Sequence, residues 1–344
     1  MIIGIDIRNV GRKRTGDETV FVQLIRQLAR LDHENEYRLF LDTRTPEQLS
    51  DIERTLGIVG QDNFHFVVLP AKGKFDWNFW VLPKYLRRHP VDVYHTQYIL
   101  PFFIPWNIKL ITHIHDVSFK VYPEYIHWKD RFFLATLIPW SLRRADKVVA
   151  VSQFTKDEII KYYGLQDEKV AVVFNALGDD FLTLGEVSDA ELVAIREKYR
   201  LPEKFILYVG TLQPRKNIPA LIEAFSLLRE KLFDMKLVLA GNRLGHNVDQ
   251  KIDESIREYS LSERVVFPGY IDQEDLPLLI RSAHLFVFPS LYEGFGIPIL
   301  EAMSQSVPVV ASDNPCLREV GGTAVFFADI SNLAEFVETL YNAC

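Results

Sequence analysis

Cysteine is nearly missing from this chain. Only Cys316 and Cys344 occur in 344 residues, too few for a disulfide framework or a repeated metal-ligand spacing. Long apolar runs are missing too: no uninterrupted stretch approaches the roughly 18 residues of a membrane-spanning helix. The opening Met-Ile-Ile-Gly-Ile-Asp-Ile has neither the basic lead nor the extended apolar core of a secretory signal. The expectation is a cytoplasmic protein. Excess positive charge is also absent. The net charge of −7 opposes a nucleic-acid binder, whose affinity depends on neutralising phosphates with a basic face. No low-complexity segment and no short repeat interrupts the chain.

What is present is the composition of a globular protein, 48% hydrophobic and 25% charged. The length suits two domains better than one core. Residues 1–180 carry 24 Lys and Arg against 23 Asp and Glu, and residues 181–344 carry 15 against 23, so the acidity belongs to the second half. Short β-branched and aromatic runs at 2–7, 37–41, 64–69, 91–95, 109–114, 147–151 and 170–174 read as strands. After a polar stretch at 177–189 the pattern restarts at 205–209, 237–240, 265–267, 285–288, 307–311 and 324–327. Amphipathic segments fill the gaps, among them 19–31, 128–144, 155–163, 190–199, 218–231 and 249–259. Such alternation predicts two doubly wound lobes, each a parallel sheet with helices on both faces, divided as 1–180 and 181–344. Ligands of such sheets bind beyond the carboxyl ends of the strands.

The densest chemistry follows the strand run at 285–288. Ser290-Leu-Tyr-Glu-Gly-Phe-Gly-Ile-Pro-Ile-Leu-Glu-Ala-Met303 holds two carboxylates, a Gly-x-Gly turn and a helix start. Pro298 suits a first helical turn, so the helix is expected to begin near Ile297, with free backbone N–H groups just before it. Ser290 and Glu293 also fit a capping box. A helix opened there would meet two glycines and a proline within two turns, which opposes that reading and leaves Glu293 on a loop.

Glu293, seven intervening residues and Glu301, set in Glu-Gly-Phe-Gly-Ile-Pro-x-Leu-Glu-Ala-Met, resemble the E-x7-E signature of retaining glycosyltransferases of the GT-B fold, most of all family 4. Further matches follow in order along nearly the whole chain: Ile114-His-Asp-Val-Ser-Phe119, Arg144-Ala-Asp-Lys-Val-Val-Ala-Val-Ser-Gln-Phe-Thr155, Leu207-Tyr-Val-Gly-Thr-Leu-Gln-Pro-Arg-Lys-Asn217 and Leu237-Val-Leu-Ala-Gly241. The resemblance implies an α/β protein of two Rossmann-like lobes with the active site in the cleft between them. The first lobe would face the acceptor and the second would bind a nucleotide sugar, a substrate and not a cofactor.

Residue by residue, Arg215 and Lys216 resemble the pair that contacts the donor diphosphate. Two cations heading a helix oppose its dipole, and an anionic partner would account for them. Glu301 resembles the residue that accepts from the ribose hydroxyls, and Glu293 the one facing the donor sugar. Gly294, Phe295 and Gly296 would offer N–H groups, Gly210 would line the diphosphate loop, and Tyr270 would lie beside the base or simply on an exposed loop. In the first lobe His115 and Asp116 end a strand where the family places a histidine that positions the sugar, with His113 and His115 also readable as core histidines. The chain has no Asp-x-Asp pair of the kind that holds a divalent ion in the other large glycosyltransferase fold, so no metal is expected.

Two departures from the family pattern stand out. The first loop reads Asn9-Val-Gly-Arg-Lys-Arg-Thr-Gly-Asp-Glu18, with Gly11 and Gly16 present but three consecutive basic residues in place of a glycine-rich turn, and Ser-Gln-Ser-Val-Pro follows Met303. The family usually continues past the position of Cys344 with a helix that returns to the first lobe. Its apparent absence implies loosely joined lobes or association between subunits. The motifs resemble those of surface-polysaccharide mannosyltransferases, which implies GDP-mannose first and UDP-glucose second as donors. Lys72-Gly-Lys-Phe-Asp-Trp-Asn-Phe-Trp-Val-Leu-Pro-Lys-Tyr-Leu-Arg-Arg88 mixes aromatics with cations, fitting either a buried amphipathic helix or a peripheral contact with membrane presenting a polyprenyl-linked acceptor. The alternatives are a sugar-nucleotide epimerase of the same shape and a non-catalytic nucleotide-sugar binder.

Overall fold

The computed structural model describes all residues except 13–15, 126–127 and 244–246, and the side chains of 128–130 and 132 are likewise left undescribed. Lys13 and Arg14 of the basic loop therefore lie outside the described residues. The chain divides into two compact units, Met1–Ala176 and Leu177–Cys344, four residues before the boundary drawn from the sequence.

The first unit is a seven-stranded sheet of β1 (Ile2–Asp6), β2 (Glu36–Leu41), β3 (Phe64–Val68), β4 (Val93–Gln97), β5 (Lys109–Ile114), β6 (Lys147–Ala150) and β7 (Val170–Val172), in the order β3-β2-β1-β4-β5-β6-β7. The second is six-stranded, with β8 (Phe205–Val209), β9 (Lys236–Ala240), β10 (Val265–Val266), β11 (Leu285–Phe288), β12 (Val309–Ser312) and β13 (Phe326–Ala328), in the order β10-β9-β8-β11-β12-β13. Every pairing is parallel. In both sheets the first strand lies inside, and the order reverses between it and the fourth. At these switch points, β1/β4 and β8/β11, the connecting loops leave in opposite directions and open a crevice at the strand ends.

Burial on both faces explains the continuous apolar character of the central strands: all four residues of β11 and of β12 are buried. Helix boundaries follow local chemistry. Thr45 caps Pro46–Leu56 in a reciprocal box with Gln48, and Gly57 closes that helix in the left-handed region. Ser188 and Glu191 form the same box before Asp189–Lys198. The helix expected over 218–231 stops at Leu227, where the Ser226 hydroxyl turns back to the Glu223 carbonyl. Residues 74–88 form a helix interrupted by a wide turn at Trp77–Val81, just before Pro83 removes an N–H from the ladder.

Candidate active site

Strand β8 ends at Val209 and delivers the loop 210–217, while β11, its neighbour in the sheet, ends at Phe288 and delivers 289–296. Close packing at the base of the first loop requires glycine: a Cβ on Gly241, at the end of β9, would meet the Gly210 carbonyl oxygen at 2.2 Å. Pro214–Lys216 then make one 3-10 turn, and the helix Ile218–Leu227 follows. Ser290 opens no helix. Glu293 lies on the loop, and Gly296, at φ +101°, turns the chain into the helix Ile297–Ser304 with Pro298 in its first turn. A Cβ on Gly296 would be strained at that φ and would approach Leu317 to 2.7 Å.

The two loops meet through charge. Lys216 Nζ donates to Glu293 Oε1, and Arg215 Nη1 donates to Glu293 Oε2 at 3.2 Å and to the Tyr292 carbonyl at 3.0 Å. The Leu291 N–H in turn donates to the Arg215 carbonyl at 2.9 Å. Lys216 and Glu293 are both buried, and the ammonium lies 5.0 Å from the Phe288 ring centroid. Burial alone would raise the Glu293 carboxyl, but the charges of Lys216 and Arg215 and the lysine's hydrogen bond outweigh it and hold the group at about 2. Two cations thus share one carboxylate, leaving a net positive centre beside the buried turn Gly294-Phe295-Gly296. Such a centre is suited to a phosphate group.

Glu301 lies one helical turn further on, buried, and desolvation pushes its carboxyl up to about 7. It differs from Glu293 in that no neighbouring cation offsets the desolvation. A ligand hydroxyl donating to it would recover the ionised form. Gly210 lines the loop base. Tyr270, half exposed, follows β10 at the sheet edge, with β9 and β8 between that strand and β11.

In the first unit the switch point gathers different chemistry. Gly16, at φ +61°, precedes the helix Asp17–Leu31. His115 is buried at the end of β5, its Nε2 at 3.3 Å from Gln97 Oε1 and 4.0 Å from Asp17 Oδ1. Asp116 turns onto its own chain, accepting from the Ser118 N–H at 3.0 Å and hydroxyl at 2.8 Å. His113 stacks on His115 with centroids 4.8 Å apart and on His95 at 5.7 Å. Neither ring nitrogen of His113 has a hydrogen-bond partner, so it is a core histidine held neutral by burial. Gln97 was not singled out from the sequence. Its position at the carboxyl end of β4, next to the reversal of strand order, is the signal that could have found it. The sequence also treated Arg215, Lys216 and Glu293 as separate contacts, whereas the structure joins them.

Comparison with known proteins agrees with this architecture. Residues 14–180 match the family model described as Glycosyltransferase Family 4, and residues 194–342 match that described as Glycosyl transferases group 1. The O-antigen chain mannosyltransferase B of Escherichia coli is 37% identical over 71% of this chain, a match spanning 63% of that protein's length. Sucrose-phosphate synthase from Thermosynechococcus elongatus superposes with a TM-score of 0.74 at 18% identity, covering 99% of this chain and 89% of that one. HepE from Anabaena, solved with UDP and glucose, gives 0.72 at 18% identity, covering 100% and 89%. With two consecutive family models spanning nearly its whole length and two parallel sheets as expected, the chain belongs to the family 4 glycosyltransferases of the GT-B fold.

Proposed function

We propose that this protein is a retaining hexosyltransferase that moves mannose from GDP-mannose, or as second choice glucose from UDP-glucose, to a glycan or polyprenyl-linked glycan. The observation carrying the reading is the charge centre of Arg215, Lys216 and Glu293 beside the Gly294–Gly296 turn. The acceptor hydroxyl attacks the anomeric carbon, the bond from that carbon to the diphosphate oxygen breaks, and the hydroxyl proton passes to the leaving phosphate. Negative charge grows on the β-phosphate in that step, where Arg215 and Lys216 act as fixed counter-charges, so no divalent ion is required. Glu301 accepts from the ribose hydroxyls. His115 positions sugar or acceptor hydroxyls through a ring held by Gln97, and does not serve as the base. Similarity to an O-antigen mannosyltransferase supports mannose as the sugar. Among the described residues no helix is long and apolar enough to cross a membrane. The proposed place of action is the cytoplasm, at the inner face of the membrane where a polyprenyl-linked acceptor is presented.

The test incubates the protein with each donor and a lipid-linked glycan, with and without excess chelator, and determines the product anomer. Expected is an α-mannoside formed from GDP-mannose at an unchanged rate in chelator. An inverted product, or activity lost in chelator and restored by magnesium, would overturn the mechanism. Conversion of the sugar nucleotide without any acceptor would favour an epimerase, and neither transfer nor slow donor hydrolysis would favour a binder.

A further inference from the structure

The first unit exposes an aromatic surface that its own core does not use. In the segment 72–88, Trp77, Leu82, Pro83 and Leu86 are buried, as an amphipathic helix requires, yet Phe75 and Trp80 are 55% and 68% exposed. The loop after β4 adds Phe103 and Trp106, at 59% and 86%. Ring contacts join Phe75 to the loop that carries Phe103, and Trp80 is next in the chain to Phe79, a member of that series. Phe75 meets Phe133 edge-on at 5.1 Å and lies 6.0 Å from Phe79, Phe79 stacks on Phe102 at 4.2 Å, and Phe102 stacks on Trp140 at 4.1 Å. One turn after Trp140, Arg144 covers the Trp106 ring at 4.5 Å, and Arg87 donates to the Phe103 carbonyl at 3.3 Å. Together the four exposed rings leave on the order of 500 Å² of mostly apolar area, the size of the largest patch on a typical monomer, which is often a functional one.

Charge identifies the occupant. Exposed Lys72, Lys74, Lys84, Arg87 and Arg88 share the segment with Phe75 and Trp80, exposed Arg131 lies two residues before Phe133, and Asp76 is the sole acidic residue of the segment 72–88. The unit as a whole has 24 basic against 21 acidic residues, while Leu177–Cys344 has 15 against 25. We infer that the ridge of Phe75, Trp80, Phe103 and Trp106, with these basic residues, docks on a lipid bilayer rich in anionic headgroups. Indole and phenyl rings enter the boundary between headgroups and acyl chains, where tryptophan is favoured, and the lysines and arginines remain among the phosphates. This deepens the proposed place of action by naming the face that makes contact, but it rests on the first unit's surface alone and needs neither donor nor turnover.

Flotation of the full chain with vesicles of phosphatidylcholine, with and without phosphatidylglycerol, is the test. The wild type is expected to float with the anionic vesicles at low salt, with a blue shift in tryptophan emission, and to remain behind with neutral ones. Trp80→Ser combined with Trp106→Ser should weaken binding at least about tenfold while leaving the melting temperature unchanged, since both rings are exposed. Lys84→Glu with Arg87→Glu should remove the preference for anionic lipid. Flotation retained by the tryptophan double variant, or no flotation of the wild type, would overturn the proposal. So would a concentration-dependent dimer abolished by the same double variant, because the face would then meet a second copy. A Glu293 variant that has lost transfer should still float, which separates failure of this inference from failure of the enzymatic one.

Discussion

At Glu293 one carboxylate does two jobs. It accepts from the buried Lys216 and holds both cations at one point. Its carboxyl is depressed to about 2, so its contribution to stability is present above about pH 4.5 and is lost as pH falls toward about 2. Glu293→Gln is expected to reduce transfer at least about a hundredfold and, unlike a surface change, to destabilise the fold by about 3–5 kcal/mol, because Lys216 is left buried without its counter-charge. Adding Lys216→Met should restore most of the stability and none of the activity. Urea unfolding of the single and double variants reads the first effect, and a double variant no more stable than the single would refute the coupling. Glu301 behaves oppositely. Burial raises it to about 7, so its favourable share of folding is complete below about pH 4.5 and disappears as pH rises through 7. Glu301→Gln should therefore melt higher than the wild type at pH values above about 7, by up to roughly 3 kcal/mol, and no higher near the unfolded carboxyl value. Nucleotide-sugar affinity of the wild type should rise across the same interval, since ribose hydroxyls donate to the ionised form. Flat affinity from about pH 6 to about pH 8 would remove Glu301 from the site.

The histidine column is a property of two adjacent strands. His95 on β4, His113 on β5 and His115 just after it stack beside Phe21, and burial lowers all three, His95 to about 4. For a base depressed in the fold, stability is present above the ordinary value of 6.5 and is lost as pH falls toward the folded value. Thermal melts should show His113→Leu flattening the loss of stability between about pH 7 and about pH 5, at little cost near neutrality, because neither ring nitrogen of His113 has a partner to lose. An unchanged acid slope would count against the column as its source. Strand positions were legible in the sequence because β-branched runs recur between amphipathic ones, and the helix start at Ile297 was legible from Gly296 and Pro298. The wide turn at Trp77–Val81 was not, since a proline marks an interruption without stating whether the chain kinks, stops or widens. The joining of Arg215 and Lys216 with Glu293 was also hidden, because motif spacing gives each residue a place along the chain and no distance across a sheet.

As a whole molecule the chain is two sheets built on one plan, in which the first strand is laid down inside and the fourth returns to its other side. The same plan separates partners in sequence. Lys216 follows β8 and Glu293 follows β11, neighbours in the sheet but 77 residues apart in the chain, with β9 and β10 added outward in between. During synthesis the lysine emerges long before the carboxylate that neutralises it, so every nascent chain passes through a stage in which the loop after β8 exists and its counter-charge does not. Until residue 293 arrives, the solvated lysine loop gains nothing from closing over Phe288. The charge centre proposed to bind the donor can thus form only after four of the six strands of the second unit, β8 to β11, have been made.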